Sequence, residues 1–164
     1  MAVVGIEQFE AALPKGARLL GLDLGSKVIG LALSDPALVV ASPIASLERK
    51  KFSADVAALE ALIDARGVGG LVIGLPIGLD GSEGPAAQSA RQFARNLLAR
   101  RDLPILFWDE RFSTAAVERF LVEEADLSRK RRGEIVDKMA AAYILQGALD
   151  ALGRRRQPIM DNEG

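Results

Sequence analysis

Three carboxylates in this chain stand where an ordinary fold has little use for them. Asp23 interrupts the apolar run Leu19-Leu20-Gly21-Leu22-Asp23-Leu24. Glu110, with Asp109 beside it, follows the apolar stretch Pro104 to Trp108. Asp137 lies among Ile135, Val136, Met139, Ala140, Ala141, Ala142 and Ile144. A buried carboxylate without a partner costs several kcal/mol, so each should be paired, hydrogen-bonded or metal-bound. Singly, each also has a plain structural reading: Asp23 as a strand-end hydrogen bonder, Glu110 as a helix-entry charge, Asp137 as a favourable charge near a helix N-terminus. Together they suggest a cluster of oxygen ligands for hard cations such as Mg²⁺ or Mn²⁺. Two such ions about 3.5–4 Å apart can hydrolyse a phosphodiester, activating a water on one side and stabilising the leaving oxygen on the other. That chemistry also needs cations to hold the polyanion, and Lys27, Arg111, Lys130, Arg131 and Arg132 are the candidates.

Elimination narrows the chemistry further. The chain has no histidine and no cysteine, so Ser-His-Asp and Cys-His nucleophiles, disulfides and thiolate zinc sites are all excluded. Catalysis must rest on carboxylates, Lys, Arg, Ser, Thr, the single Tyr143 or an oxygen-held metal. Net charge is −1, which argues mildly against a nucleic-acid binder. The basic residues are clustered, however, at Arg49-Lys50-Lys51, Arg129-Lys130-Arg131-Arg132 and Arg154-Arg155-Arg156. Solvated surface is the ordinary reading of such runs, but a local patch can bind phosphates on an acidic protein. No apolar run approaches the ~20 residues of a membrane span, and no signal-peptide pattern opens the chain, so a cytoplasmic protein without a membrane partner is expected.

The elements that must position these groups follow from periodicity. At 164 residues one domain is expected, and the apolar fraction of 49% is enough to fill its core. Strands are predicted over 18–24 and 28–34, the pair forming a hairpin, and a third over 38–47, whose Pro43 suggests an edge position. Helix 53–66, capped by Ser53 and ended by Gly67, precedes a doubly buried strand over 71–75. A glycine-rich loop, Pro76 to Pro85 with an Asp80-Gly81 turn, leads into a helix over 86–101 and a strand over 104–108. A helix over 115–124 capped by Ser113 or Thr114, a basic loop over 128–133 and a helix over 134–152 complete the pattern. A short helix over 6–13 and a frayed tail flank it. The expected fold class is therefore α/β: a five-stranded mixed sheet, three antiparallel strands then two parallel, flanked by helices. The division is an extension 1–17, a domain 18–152 and a flexible tail 153–164.

Four motifs in collinear order resemble the YqgF/RuvX family: Gly21-Leu22-Asp23-Leu24-Gly25-Ser26-Lys27; Val72-Ile73-Gly74-Leu75-Pro76 with Asp80-Gly81-Ser82; Trp108-Asp109-Glu110-Arg111-Phe112-Ser113-Thr114; and Ile135-Val136-Asp137-Lys138-Met139-Ala140-Ala141 with Ile144-Leu145-Gln146. The resemblance spans roughly Arg18 to Asp150. It implies an RNase H-like fold and a metal-dependent nuclease that processes the precursor of small-subunit (16S) ribosomal RNA, with Asp23, Glu110 and Asp137 as catalytic, metal-holding acids. Lys27, Arg111 and the basic loop would contact substrate, and Gly74, Pro76, Asp80 and Gly81 would form the loop beside the site. It is the resemblance, not periodicity, that prefers Glu110 over Asp109. Val28 departs from the family, which often carries a polar or basic residue there. Three rivals remain: a Holliday junction resolvase acting on branched DNA, which would need a dimer; a non-catalytic module binding nucleic acid or the small ribosomal subunit; and a sugar-kinase or actin-like phosphotransferase, which this length leaves no room for. A monomer and a homodimer are both open.

Overall fold

The computed structural model describes residues 4–78, 80–109 and 129–156, with 129–137 as backbone only. Five strands form one sheet in the order β3-β2-β1-β4-β5: β1 Arg18–Leu24, β2 Val28–Ser34, β3 Ala41–Glu48, β4 Val68–Leu75 and β5 Ile105–Asp109. β1 pairs antiparallel with β2, and β2 with β3, while β1-β4 and β4-β5 are parallel. This is the expected mixed sheet, with Pro43 on the edge strand beside a register shift between Leu31 and Ala32.

Alternation along β1 divides the core. Leu20 and Leu22 join Leu71, Ile73 and Ile105 under α2 (Phe52–Arg66) and α3 (Pro85–Arg100). Leu19, Val72 and Leu106 face the other way, toward α1 (Ile6–Ala12) and α4 (Arg129–Arg156), where Phe9, Ala141, Leu145 and Leu149 are buried. Each fully buried leucine or isoleucine contributes roughly 1.5–3 kcal/mol. Two such layers therefore hold the sheet without a covalent staple. α4 runs antiparallel to β1: Gln146, late in the helix, bonds Ala41 and Val39 beside the start of β3, and Arg156 reaches Leu38.

Several predicted boundaries move, each for a local reason. β3 starts at Ala41 rather than Leu38 because the Asp35 carboxylate accepts the N–H groups of Val39 and Val40 (2.7 and 2.9 Å), and Leu38 turns the chain at φ 60°. Ser53 does not cap α2. The N-cap is Lys51, with no side-chain cap, and the buried Asp55 reaches back to accept the Lys50 N–H at 2.9 Å. The segment expected as a basic loop, 128–133, is helical from Arg129 onward, so Lys130, Arg131 and Arg132 stand in the first turns of α4. Arg and Lys are good helix formers, and a single Gly133 costs only about 1 kcal/mol, too little to stop a helix that packs along the sheet. For the same reason α4 passes through Gly153 to Arg156. The predicted helix over 115–124 lies outside the described residues.

Candidate active site

Asp23 is the penultimate residue of β1, half-buried at the sheet's carboxyl edge rather than enclosed in its core. It lies on the α4 face, two residues beyond Gly21. An ideal Cβ at Gly21 would stand 2.8 Å from Leu145 Cβ and 3.1 Å from the Ala141 carbonyl oxygen, so α4 crosses directly over that glycine. Pairing sets the row in which Asp23 stands. Asp23 opposes Gly30, Gly30 opposes Ser46, and continuing the Leu22–Ile73 register by one residue sets Asp23 beside Gly74, which opposes Trp108. Paired residues share a face, so the carboxylate is flanked on both sides by residues without a side chain.

The β1–β2 turn presents Lys27 to solvent immediately after the acid. Its backbone is tightly closed: the Gly25 N–H donates to Val28 O at 2.9 Å, and a Cβ on Gly25 would lie 2.7 Å from that oxygen. Arg49 fastens the turn from outside. Its N–H donates to Lys27 O at 2.8 Å, its Nη1 to Gly25 O at 2.7 Å, and its guanidinium lies 5.8 Å from the Phe93 ring centroid. In the sequence Arg49 is one of three adjacent cations; only the fold across |i−j| = 24 distinguishes it.

On the other side of Asp23, β4 passes from Gly74 through Pro76 into the loop 76–84. The Gly78 N–H donates to Ser82 O and the Gly81 N–H to Gly78 O, both at 2.8 Å, and Gly81 adopts φ 87°, a conformation that favours glycine. The Asp80 carboxylate accepts from Ser82 Oγ (2.7 Å) and N–H (3.0 Å), so its role in this structure is to close its own loop. These bonds, the Ser82 hydroxyl first, hold the Asp80 pKa below the ordinary aspartate value. Because the folded pKa is depressed, the bonds stabilise the loop at neutral pH and are lost as pH falls through the folded pKa. A carboxyl-carbon NMR titration should give Asp80 a midpoint below that of an unfolded-peptide aspartate, moving up in Ser82→Ala; equal midpoints in the two proteins would contradict it. Arg91 anchors the far end of the loop, bidentate to Glu83 (2.7 and 2.6 Å) and 5.0 Å from the Phe107 ring centroid.

Asp109 pairs with Leu75 and so lies on the α3 face, opposite to Asp23. Glu110 and Arg111 lie outside the described residues. Asp137 is described as backbone, one helical turn before Ala141. Two strand residues advance about 6.6 Å and four helical residues about 6 Å, in the same direction here, so position 137 follows Ala141 toward the sheet edge as Asp23 follows Gly21. Lys130, Arg131 and Arg132 lie further along the same end of α4. Among the described residues no three carboxylates gather into one metal site. Of the three acids expected to hold metal, Asp23 is the one whose side chain lies among those described. The donor set expected from the sequence, three carboxylates in a chain without histidine or cysteine, would suit a hard divalent cation rather than zinc or copper.

A model of the family described as RuvX, Holliday junction resolvase, matches residues 17–151. A Rhodospirillum rubrum protein named "Putative pre-16S rRNA nuclease" is 60% identical over 156 residues, covering 95% of this chain and 97% of its own length. A Paramagnetospirillum magneticum protein of the same name is 58% identical over 150 residues, covering 92% and 96%. Among solved structures, Thermus thermophilus RuvC in complex with a Holliday junction substrate aligns with a TM-score of 0.53 at 12% identity, over 84% of this chain and 96% of that one. At such identity the likeness speaks for the fold alone, which is RNase H-like.

Proposed function

The chain belongs to the RuvX family, and from that premise we propose that it is a metal-dependent nuclease that cuts precursor 16S rRNA during ribosome biogenesis in the cytoplasm. The observation that carries this reading is the setting of Asp23: a half-exposed carboxylate at the carboxyl edge of a parallel pair, where open α/β sheets place their ligand sites, flanked by Gly30 and Gly74, on the sheet face that the helix bearing Asp137 crosses at Gly21. Names of relatives support the RNA substrate.

In this reading Asp23, Glu110 and Asp137 hold Mg²⁺ or Mn²⁺, two ions in all. When bound, such ions supply an activated water and charge stabilisation of the leaving oxygen. The chain's own part is placement. Asp23 is fixed by the β1 ladder, and Lys27 meets the substrate backbone from a turn that Gly25 and Arg49 keep closed. Arg111 and the start of α4, with Lys130, Arg131 and Arg132, hold the backbone beyond it. Gly74 and Pro76 set where the loop leaves the sheet, and Asp80 with Gly81 keeps it closed on itself.

The family's own description supports a second reading, a resolvase acting on four-way DNA junctions, which would need a homodimer to cut two strands symmetrically. The two separate in one experiment: a precursor 16S fragment and a synthetic four-way junction, each incubated with Mg²⁺, Mn²⁺ or EDTA. RNA cut with metal and spared with EDTA is the expected result. Junction cutting alone would transfer the assignment to the resolvase, and binding without cutting under every condition would leave a non-catalytic module of the ribosomal small subunit or of nucleic acid.

A further inference from the structure

Stability does not explain the residues that open α2. Lys51 is the N-cap of that helix, a position at which Ser, Asp or Asn would contribute about 1 kcal/mol through a side-chain bond that is absent here. Lys50 precedes it, so two cations stand at the positive end of the helix dipole, where charge of the opposite sign is favoured. The acids nearby are Asp55, buried and bonded to the Lys50 N–H, and Glu48, exposed at the end of β3. Neither lysine contributes to the stability of the helix it opens.

The strand pairing shows what these lysines adjoin. Val28 opposes Glu48, so the end of β3 and the β1–β2 turn share the carboxyl edge at which Asp23 stands. The Arg49 N–H donates to Lys27 O at 2.8 Å, joining the two corners directly. The three cations of the run 49–51 are not equivalent: the Arg49 guanidinium is committed to Gly25 O and the Phe93 ring, whereas the Lys50, Lys51 and Lys27 side chains are exposed. Three exposed cations thus stand at one end of the sheet on a chain whose net charge is −1.

We propose that Lys27, Lys50 and Lys51 form a phosphate-binding strip that carries the nucleic-acid backbone away from Asp23 toward the β3 edge of the sheet. The proposal rests on the nuclease reading and deepens it, giving the substrate a direction: one arm crosses the start of α4, the other crosses the start of α2. Nothing in the strip reads a base, so it recognises backbone charge and takes any sequence.

The test is equilibrium binding of a fluorescently labelled precursor 16S fragment to the full chain in EDTA, where no cutting occurs, across about 50–200 mM KCl. The wild type is compared with Lys50→Gln/Lys51→Gln and with Lys15→Gln/Arg66→Gln, which removes the same charge from exposed residues at the opposite end of the sheet. Each lost phosphate contact lowers the salt slope by about 0.7–0.9, so the strip variant should lose about 1.4–1.8 and bind at least about tenfold more weakly, with the control unchanged. An unchanged slope in the strip variant overturns the proposal, and so does an equal fall in both variants, which would be a net-charge effect. A wild type without measurable affinity overturns it too. The nuclease reading is judged separately by metal-dependent cutting, so the two can fail independently.

Discussion

Asp23→Asn should abolish cleavage and leave the protein folded. The exchange is near-isosteric and removes one negative charge from a half-exposed side chain. The hydrophobic contacts of β1 come from Leu19, Leu20 and Leu22, and the bond from the Gly25 N–H goes to the Asp23 backbone oxygen, which the exchange retains. Thermal melting should therefore move little, while the rate falls by about 10³-fold or more, equivalent to about 4 kcal/mol of transition-state stabilisation. A companion variant sharpens the result. Asp109→Asn lies on the α3 face with Leu75 and should retain cutting to within a few-fold. Single-turnover cleavage of the precursor fragment with Mn²⁺, alongside a melting curve for each variant, reads both. Wild-type cutting by Asp23→Asn would remove this carboxylate from the site; loss of cutting in Asp109→Asn at unchanged Tm would make Asp109, and not its neighbour, the second acid.

The sheet was legible in the sequence where pattern and punctuation agreed. Apolar runs ending at Gly25 and at Asp35 mark β1 and β2 to the residue, and the Gly67 stop of α2 is an αL cap at φ 66°. Errors arose where a side chain bonds the backbone several residues away: Asp35 takes the N–H groups that would have begun β3 earlier, and Asp55 replaces Ser53 at the start of α2. The chemistry was legible as exceptions, since carboxylates break apolar runs conspicuously. Their phase was not. Asp109 and Glu110 are adjacent in sequence, and only the pairing of Leu75 with Asp109 says which face Asp109 takes. The glycines beside Asp23 are equally silent in one dimension, because Gly30 and Gly74 become its neighbours only through strand register. Arg49 is the residue that sequence undervalued, and its partners Gly25 and Phe93 lie 24 and 44 positions away.

Gly21→Val should cost both stability and activity, and for the same reason. The first added carbon alone would sit 2.8 Å from Leu145 Cβ and 3.1 Å from the Ala141 carbonyl oxygen, the second a backbone atom that no rotamer change can remove. Two further methyl carbons on that face meet Ala32 and Val72, the paired neighbours of Gly21. Overpacking of this kind costs about 1–3 kcal/mol, and relief requires α4 to rise from the sheet. In a chain of this size each kcal/mol corresponds to about 2–4 °C, so Tm should fall by about 2–12 °C. Because α4 also carries position 137 past Asp23, the same displacement separates two of the proposed acids. Cutting should therefore fall by about tenfold or more even at temperatures where the variant is fully folded, while RNA binding through exposed lysines persists. Gly153→Ala, on the same helix with nothing within 4 Å of its added carbon, should instead hold or raise Tm by removing a flexible residue from a helix interior. If Gly21→Val keeps wild-type Tm and cutting, α4 does not press on β1 at that point. The alignment that brings Asp137 toward Asp23 would then be lost with it.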